Sequence, residues 1–315
     1  MSKPITIAFA AALLLAAPAL LHAEEGGSAH YLPGQAASFI DALPMHPGPV
    51  VENVFTWYDA STNASIPVAG LLARISATVE ADSPLFLYQF DSGPFGSKYA
   101  VAASIPFISL EVKGSLVSGV GSFDKVDHDT AIGDTILYPL MLGWQALGGD
   151  LKYDLRFGIY APTGDYRVGS LANTGKNYWS FEPGVMVSYL SSKLGIEGSL
   201  YTGFDINTKN DDTDYDSGSS WHMDLTVAEH LPLFGGIIGA GFSQFTYYQI
   251  TDDSGSGAVL GGFKGHTIGI GPVLSYVYKI SSDLTLATEL KWLPELDVQK
   301  RLEGDYIWWK LALLF

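Results

Sequence analysis

The chain has 315 residues, no cysteine, 16% charged residues and a formal net charge of −16. Without cysteine it forms no disulfides and holds no metal or cluster through thiolates, and its acidic balance argues against nucleic-acid binding. The charged fraction is below the ~25% typical of soluble domains, while Gly (35) and Tyr (17) are abundant, a composition that suits residues alternating between lipid and water.

The first 23 residues have the three parts of a secretory signal peptide. Lys3 supplies a positive charge, Ile5–Leu21 is almost wholly apolar, and Leu21-His22-Ala23 leads into polar residues. We therefore expect export and cleavage near Ala23. No later segment approaches the ~20 apolar residues that a spanning helix needs, so a membrane-spanning chain of this kind has to be a closed β-barrel.

Residues 24–49 do not alternate and are predicted to form an N-terminal periplasmic or plug segment. A turn-rich arm, Gly26–Gly34, precedes Gln35–Leu43, which is long enough for one or two helical turns. This segment either trails in the periplasm or folds into the barrel. Because Phe39 and Ile40 gain from burial, we expect it to plug the lumen.

Beyond this segment, apolar and polar residues alternate in stretches separated by turn signals, most clearly in Leu151–Tyr160. We predict an all-β fold for residues 50–315, a transmembrane antiparallel up-and-down β-barrel of about twelve strands. The predicted strands are 50–59, 70–80, 98–117, 132–144, 151–162, 177–190, 194–207, 218–230, 236–250, 263–280, 283–296 and 304–315. An even number returns both termini to the periplasmic side. A soluble sandwich or propeller is the structural alternative.

The connections support a barrel in an outer membrane, whose periplasmic turns are short and whose external loops are long. Ser191–Lys193 and Ser281–Asp283 are short and fall on the predicted periplasmic side. The predicted external loops are longer and rich in Gly, Asp, Asn and Ser; they are 118–131, 163–176, 208–217 and 251–262. The exception is 81–97, a long predicted periplasmic connection.

The last strand ends on a free aromatic residue. Ile307, Trp309, Leu311, Leu313 and Phe315 stand two residues apart and form one apolar face. This pattern resembles the C-terminal signal by which bacterial outer-membrane proteins are recognised for assembly. We therefore expect Phe315 to contact the barrel-assembly machinery.

Alternation also predicts which ionisable side chains face the lumen. They are Arg74, Lys152, Asp154, Arg156, Glu182, Glu197, Asp205, Asp224, Glu289 and Lys291, with Glu52 and Glu80 by the same phase. One interpretation is a cation-favouring aqueous pore, since rings of charge set selectivity. The other is a lattice of cross-strand ion pairs that braces a narrow, plugged barrel.

The sequence contains no recognisable catalytic constellation, and we predict no enzyme, no cofactor and no metal site. No mature histidine has serine two residues later, and G-x-S-x-G and H-E-x-x-H are missing. His222 and Asp224 share a face and could form a base and its orienter, but a structural hydrogen bond explains them better. The acidic run Asp211–Gly218 departs from calcium-loop spacing and is interpreted as a solvated external loop.

Three features resemble one known family of outer-membrane proteins. They are the Gly/Pro/aromatic pattern of Gly26–Gly48, the strand exit Tyr160-Ala161-Pro162-Thr163-Gly164-Asp165-Tyr166, and the terminal Phe315. The family is that of the MetA-pathway of phenol degradation, which includes sphingosine-responsive, porin-like members. The resemblance implies a barrel associated with uptake of hydrophobic or aromatic compounds.

These observations predict a monomeric bacterial outer-membrane channel or transporter for passive uptake of small hydrophobic compounds, aromatic or lipid-like. Predicted ligand contacts are Tyr31, Phe39, Ile40, Tyr160 and Tyr201. Predicted partners are outer-membrane lipid and lipopolysaccharide, the assembly machinery, and the hydrophobic ligand. A general cation-leaning porin is the alternative, and a lipid-modifying enzyme is a third hypothesis.

Overall fold

The computed structural model describes residues 27–62, 66–68, 71–118, 121–258, 262 and 264–315. The predicted signal peptide, 1–23, lies outside the described residues. So do parts of the predicted loops 118–131 and 251–262.

The described chain is built almost wholly of β-strands. They are β1 Gly48–Ser61, β2 Ile66–Val68, β3 Leu71–Gln89, β4 Lys98–Ser104, β5 Phe107–Ser118, β6 Gly121–Ile132, β7 Thr135–Ala146, β8 Leu151–Ala161, β9 Ser180–Leu190, β10 Ile196–Asn207, β11 Ser220–Leu233, β12 Gly236–Gln249, β13 His266–Lys279, β14 Thr285–Gln299 and β15 Glu303–Leu314. Two short 3₁₀ helices, Pro94–Gly96 and Leu147–Gly149, lie in connections. Among the described residues, no helix has the length and apolar character needed to cross a bilayer.

Twelve strands form a closed ring, namely β1, β3, β4 and β7–β15. Neighbouring strands pair antiparallel, and β1 closes on β15 in a register that runs from Val50 opposite Leu314 to Ser61 opposite Glu303. On its other edge β1 pairs with β3. The prediction of a transmembrane, up-and-down barrel of about twelve strands is confirmed.

The prediction of an external loop over 118–131 is wrong, because β6 occupies most of it. β5 and β6 form a hairpin, with Phe107 opposite Ile132 and Ser118 opposite Gly121. β7 and β8 pair from Thr135, which lies opposite Ala161, the last residue of β8. Because β6 directly precedes β7 in the chain, β6 lies beyond the end of β8. Charged residues stand on both faces of β6, and this hid its period of two from a search for apolar stripes.

The predicted long connection 81–97 is also wrong, because β3 continues to Gln89. Pro84 does not end β3. It lies between Asp82, which pairs with Phe107 of β5, and Leu85, which pairs with Ser104 of β4. Pro84 therefore faces the interruption between β4 and β5, where no ladder hydrogen bond needs its missing N–H.

From β8 to β15 the two faces of the sheet differ as lipid requires. Leu155, Phe242, Leu274 and Trp309 are large apolar side chains exposed on the outer face. Polar side chains alternate with them and are buried on the inner face, as Asp154 is beside Leu155. This period of two is the pattern of a transmembrane β-barrel.

The wall formed by β1, β3 and β5 reverses this pattern on β3. Ile75 and Ala77 are buried on the inner face, whereas Arg74 and Glu80 are exposed on the outer one. The prediction that Arg74 and Glu80 face the lumen is therefore wrong. A shift of one residue in phase moves every side chain of a strand to the other face, and here the inner face is the apolar one.

Candidate functional site

The N-terminal segment, residues 27–47, packs against the inner faces of the strands. Tyr31 and Ala37 are fully buried, with exposures of 1% and 0%. Both belong to an apolar cluster with Met186 of β9 and Tyr201 of β10. Farther along, Leu43 packs against residues of β4 and β7. The segment thus spans the interior from one side of the barrel to the other.

Asp224 of β11 is the main acceptor for this segment. Its Oδ2 accepts hydrogen bonds from the Tyr31 hydroxyl at 2.5 Å and from the Ala36 backbone N–H at 3.0 Å. Its Oδ1 accepts from the Gly34 backbone N–H at 3.1 Å. One buried carboxylate therefore orders three groups of the N-terminal segment, and its lone pairs are satisfied by them.

Cationic side chains of the wall hold the carbonyl and carboxylate groups of the same segment. Lys291 Nζ donates to the Ala36 carbonyl at 2.6 Å, and Lys310 Nζ donates to Asp41 Oδ1 at 2.5 Å. Arg156 donates to the Asp41 carbonyl at 3.0 Å. Lys310 was not among the predicted lumen charges. Its position between Trp309 and Leu311, two residues of the apolar face of the last strand, indicates that its side chain points to the opposite face.

Gly34 makes the turn between these contacts, and only glycine fits there. Its φ is +87°, and a Cβ added to it would lie 2.4 Å from Cδ1 of Leu293. Leu293 is fully buried and packs with Phe245 and Trp308. Without a side chain at Gly34, the segment comes close enough to the wall for its backbone N–H and carbonyl groups to form hydrogen bonds with wall side chains.

The opposite end of the segment is fastened near the external rim. His30 Nε2 lies 2.8 Å from Asp134 Oδ2, and His30 Nδ1 lies 2.6 Å from Ser180 Oγ. Asp134 also accepts backbone hydrogen bonds from Gly164 and Lys176. Burial opposes ionisation of this carboxyl, but the hydrogen bonds from His30, Gly164 and Lys176 outweigh it and hold the pKa of Asp134 below its ordinary value.

Other predicted lumen charges bond to one another or to the N-terminal segment. Arg156 makes a bidentate pair with Asp154, at 2.7 and 2.8 Å. Glu289 lies 3.4 Å from Lys291 and 3.6 Å from Lys310. Glu197 accepts from the Phe39 backbone N–H at 2.7 Å and pairs with His230, also at 2.7 Å. Lys152 shares the inner face with Asp154 and Arg156. These contacts match the bracing interpretation of the charges better than that of an open pore.

A cavity of about 550 Å³ lies between the N-terminal segment and the barrel wall. Its apolar side comes from the reversed wall, where Val54 of β1, Val79 of β3 and Leu110 of β5 line it. Ile40 of the N-terminal segment lines the other side. At the outer end the cavity reaches Val168 in the external loop 163–176. Its wall is therefore mainly hydrocarbon, with polar groups at its margins.

Four of the five predicted ligand contacts line this cavity, namely Tyr31, Ile40, Tyr160 and Tyr201. Phe39 does not, because its ring packs edge-on against His230 with centroids 4.9 Å apart. The apolar residues of β3 and β5 were missed. On β3 the signal was present as Val79 and Ala81 and again as Leu85 and Leu87, but Ser83 interrupts it, and all of these residues except Val79 lay in the predicted connection 81–97.

His222 and Asp224, the base and orienter considered and disfavoured from the sequence, do not contact each other through a hydrogen bond. Asp224 binds the N-terminal segment, while His222 Nε2 lies 3.2 Å from Glu182 Oε1. Tyr31 stacks on the His222 ring, with centroids 3.6 Å apart. Glu182, His222 and Asp205 are the group among the described residues whose atoms lie close enough together to hold a metal ion.

The acidic external loops are ordered by their own hydrogen bonds. Asp253 accepts from the Tyr215 hydroxyl, the Gln249 amide and the Gly218 backbone N–H. Hydrogen bonds from Lys209 and Ser256 hold the pKa of Asp214 well below its ordinary value. Asp127 and Asp129 of β6 accept the backbone N–H groups of Leu171 and Thr174, which fastens the loop 163–176 over the barrel.

Comparison with known proteins agrees with this architecture. Residues 59–311 match the model of the family described as "Putative MetA-pathway of phenol degradation". The COG4313 outer membrane channel from Pseudomonas putida F1 superposes with a TM-score of 0.59 at 14% identity, over 91% of this chain and 100% of that chain. The β domain of the Bordetella autotransporter BrkA gives a TM-score of 0.46 at 8% identity, over 85% of this chain and 99% of that chain. No curated protein matches the sequence. At these identities the structural likeness shows the fold alone.

Proposed function

The chain belongs to the MetA-pathway of phenol degradation family, and from this premise we propose that it is an outer-membrane channel through which small hydrophobic compounds, aromatic or lipid-like, diffuse passively. The observation that carries the proposal is the cavity of about 550 Å³, whose wall on β1, β3 and β5 is largely apolar where the wall of a water-filled pore would be polar. Such a volume is within the range of sites for small molecules.

The cavity explains what the compound gains by entering. Val79, Leu110 and Ile40 replace water around its apolar surface, at about 25 cal/mol for each Å² buried. Tyr31, Tyr160 and Tyr201 add aromatic edges and faces suited to planar rings. The proposed ligand contacts are therefore these tyrosines and Ile40, together with the apolar residues of the reversed wall.

The N-terminal segment makes this a gated path. Its contacts with Asp224, Lys291 and Lys310 are charge-assisted hydrogen bonds to a buried wall. A compound that enters from the external loop meets this segment before it can leave the barrel. Passage therefore requires the segment to shift, and the segment acts as a plug.

The setting of the channel is part of the proposal. We place the protein in the bacterial outer membrane as a monomer, after removal of residues 1–23. Phe315 is 55% exposed at the chain end and is available to the barrel-assembly machinery. Lipid contacts the apolar outer face, and lipopolysaccharide surrounds the acidic external loops.

A matched pair of substitutions tests the path. Leu110→Gln places a polar amide in the cavity, whereas Leu274→Gln changes a leucine of the outer face that is 49% exposed. We expect only the first to slow entry of a fluorescent aromatic probe into liposomes that contain the full chain. Equal rates for the two variants would contradict the cavity path. Large ohmic currents in planar bilayers, with equal passage of sugars, would favour the general porin.

A further inference from the structure

Three buried side chains on neighbouring strands converge at one place in the lumen wall. Glu182 of β9, Asp205 of β10 and His222 of β11 each offer one ligand atom, and these atoms lie within 4.8 Å of one another. Their exposures are 0%, 1% and 0%. We propose that this cluster binds one divalent transition-metal ion of the Zn²⁺, Co²⁺ or Mn²⁺ type. The inference goes beyond the proposed channel and does not depend on it.

The state of His222 points to a missing partner. Neither ring nitrogen makes a hydrogen bond, although the side chain is completely buried. Nε2 has only an ion-pair contact with Glu182, at 3.2 Å. Buried polar atoms in proteins are nearly always satisfied, and neutral imidazole is the commonest side-chain ligand of metal ions.

The charges around the cluster point the same way. Glu182 accepts hydrogen bonds from the hydroxyls of Tyr160 and Tyr201, and Asp205 accepts one from Ser220 Oγ at 2.9 Å. These hydroxyl donors orient the carboxylates. Two buried carboxylates beside one imidazole form a ligand set that suits a divalent cation, whose ligands are themselves held by such hydrogen bonds.

The backbone leaves room for the three ligands to meet. Gly203 stands opposite both His222 and Gly184 in the sheet. A Cβ at Gly203 would lie 2.8 Å from His222 Nε2 and 3.3 Å from Glu182 Oε1, so a side chain there would displace both. Ligand atoms around a tetrahedral ion lie roughly 3.5 Å apart, given bonds of about 2.1 Å, and small side-chain rotations reach that spacing.

The ligand types define the class of ion. One imidazole nitrogen with two carboxylate oxygens suits first-row divalent ions. The site has no thiolate, which Cu(I) prefers, and its histidine makes it a poor site for Mg²⁺, which prefers oxygen ligands alone. Three protein ligands leave a further coordination position. Tyr31 stacks on the face of the His222 ring, so the cluster lies beside the N-terminal segment.

Metal binding by the full chain tests the proposal directly. The protein, without a histidine tag, is folded into detergent in the presence of Co²⁺ or Zn²⁺, so that burial does not limit entry, and is then dialysed against metal-free buffer. We expect one equivalent of retained metal by elemental analysis. Co²⁺ should also give a d–d absorption band typical of nitrogen and oxygen ligands.

Three variants locate the ion. His222→Ala and Glu182→Gln remove one ligand each, and loss of a direct ligand should weaken binding more than about 100-fold, since loss of an outer-shell partner alone costs about 10–100-fold. The control is His230→Ala, on the same strand, where a buried histidine pairs with Glu197 at 2.7 Å outside the three-residue cluster. It should retain metal like the wild type.

Each outcome of this experiment either supports the metal site or overturns it. Loss of the ion in both cluster variants, with retention in His230→Ala, supports the site. Absence of retained metal in the wild type overturns it, as does metal that persists in Glu182→Gln, which would place the ion in the acidic external loops. Glu182→Gln preserves side-chain shape, so it gives the answer even if His222→Ala does not fold, and heat-modifiable migration on gels reports folding for each variant.

Discussion

The hydroxyl of Tyr31 donates to Asp224 Oδ2 at 2.5 Å across 193 positions of the sequence. This contact joins the turn-rich part of the N-terminal segment to β11, the eighth strand of the ring. Asp224 simultaneously accepts from two backbone N–H groups, of Gly34 and Ala36. A single carboxylate therefore holds three groups of the N-terminal segment in the lumen, beside the contacts made by Lys291 and Lys310.

Loss of the Asp224 charge should release the N-terminal segment. In Asp224→Asn the amide cannot accept all three hydrogen bonds, each worth about 1.5–3 kcal/mol to a charged acceptor, so the docked state should weaken by about 2–4 kcal/mol. This corresponds to a shift of tenfold or more in the docking equilibrium. We expect more frequent channel openings in planar bilayers and faster proteolysis within residues 27–47.

Tyr31→Phe is the graded comparison, because it removes one of the three hydrogen bonds and keeps the ring on His222. It should show a smaller increase in openings than Asp224→Asn. If the segment becomes protease-sensitive in both variants but both conduct like the wild type, then release of the segment does not open the channel, and the segment has no gating role.

The rim contact predicts a dependence on pH. The hydrogen bonds from His30, Gly164 and Lys176 hold the pKa of Asp134 below its ordinary value of 3.8. A carboxyl whose pKa is lower in the docked state stabilises docking above 3.8, and this contribution is lost as the pH falls through the lower value. Burial also lowers the pKa of His30 from its ordinary value of 6.5, so docking favours the neutral imidazole and is opposed once the free imidazole takes up a proton. We therefore expect the rim contact to be firm near pH 7, to weaken as the pH falls below about 6.5, and to loosen further below about pH 4.

Asp134→Asn provides the reference for that measurement. It should loosen the segment already at neutral pH, seen as faster cleavage near residue 30, and should lack the further loosening that the wild type shows below about pH 4. A transition of equal size in Asp134→Asn would assign the acid effect to other carboxylates.

The sequence was sufficient to predict the barrel because alternation over many strands coincided with short and long connections on opposite sides and with few charged residues. Asp154, Glu197 and Lys291, which alternate with large apolar residues in the sequence, are buried side chains in the structure. Prediction from the sequence failed on β3, where Leu85, Phe86 and Leu87 are consecutive apolar residues and no single phase is marked. Only the pairing with β1, β4 and β5 decides which of them faces the cavity.

The site was less accessible to prediction for a different reason. Glu182, Asp205 and His222 lie on three strands, and their meeting depends on the register between strands. Alternation defines the face of each residue but not its height along the barrel. Likewise, the choice of Asp224 as the acceptor for Tyr31 depends on how a non-repeating segment folds back, for which the sequence has no periodic signal.

Glu80 on the outer face should limit the stability of the barrel in lipid. It pairs with Trp57, which pairs with Ile307 of β15, so it lies level with apolar residues of the outer surface. Ionisable residues facing lipid destabilise barrels by up to about 2–4 kcal/mol for basic residues near the midplane and by less for acidic ones. Glu80→Leu should therefore raise the free energy of unfolding in lipid vesicles by about 1–2 kcal/mol.

Ser83→Leu is the matched control, because Ser83 faces the cavity on the same strand. It should leave unfolding nearly unchanged or lower the stability, and it should reduce the available cavity. If Glu80→Leu instead destabilises the barrel in lipid, the outer face of β3 is covered by polar groups of a partner and does not meet hydrocarbon.

The external loop over the cavity depends on a contact between two glycines. A Cβ at Gly175 would lie 2.6 Å from the carbonyl carbon of Gly164, and a Cβ at Gly164 would lie 2.7 Å from Gly175 Cα. Gly175→Ala must separate these backbones, at a cost of about 1–3 kcal/mol by analogy with overpacked cores. Because Asp134 accepts from Gly164 and Lys176 on either side, the substitution should loosen the loop and the rim contact together.

We expect Gly175→Ala to increase protease cleavage within 163–176 and to speed entry of the aromatic probe, because this loop lines the outer end of the cavity. Gly198→Ala is the control, since a Cβ there meets nothing within 4 Å. It should behave as the wild type in both measurements. Faster cleavage of the loop without faster entry would show that the N-terminal segment, and not the loop, limits passage into the cavity.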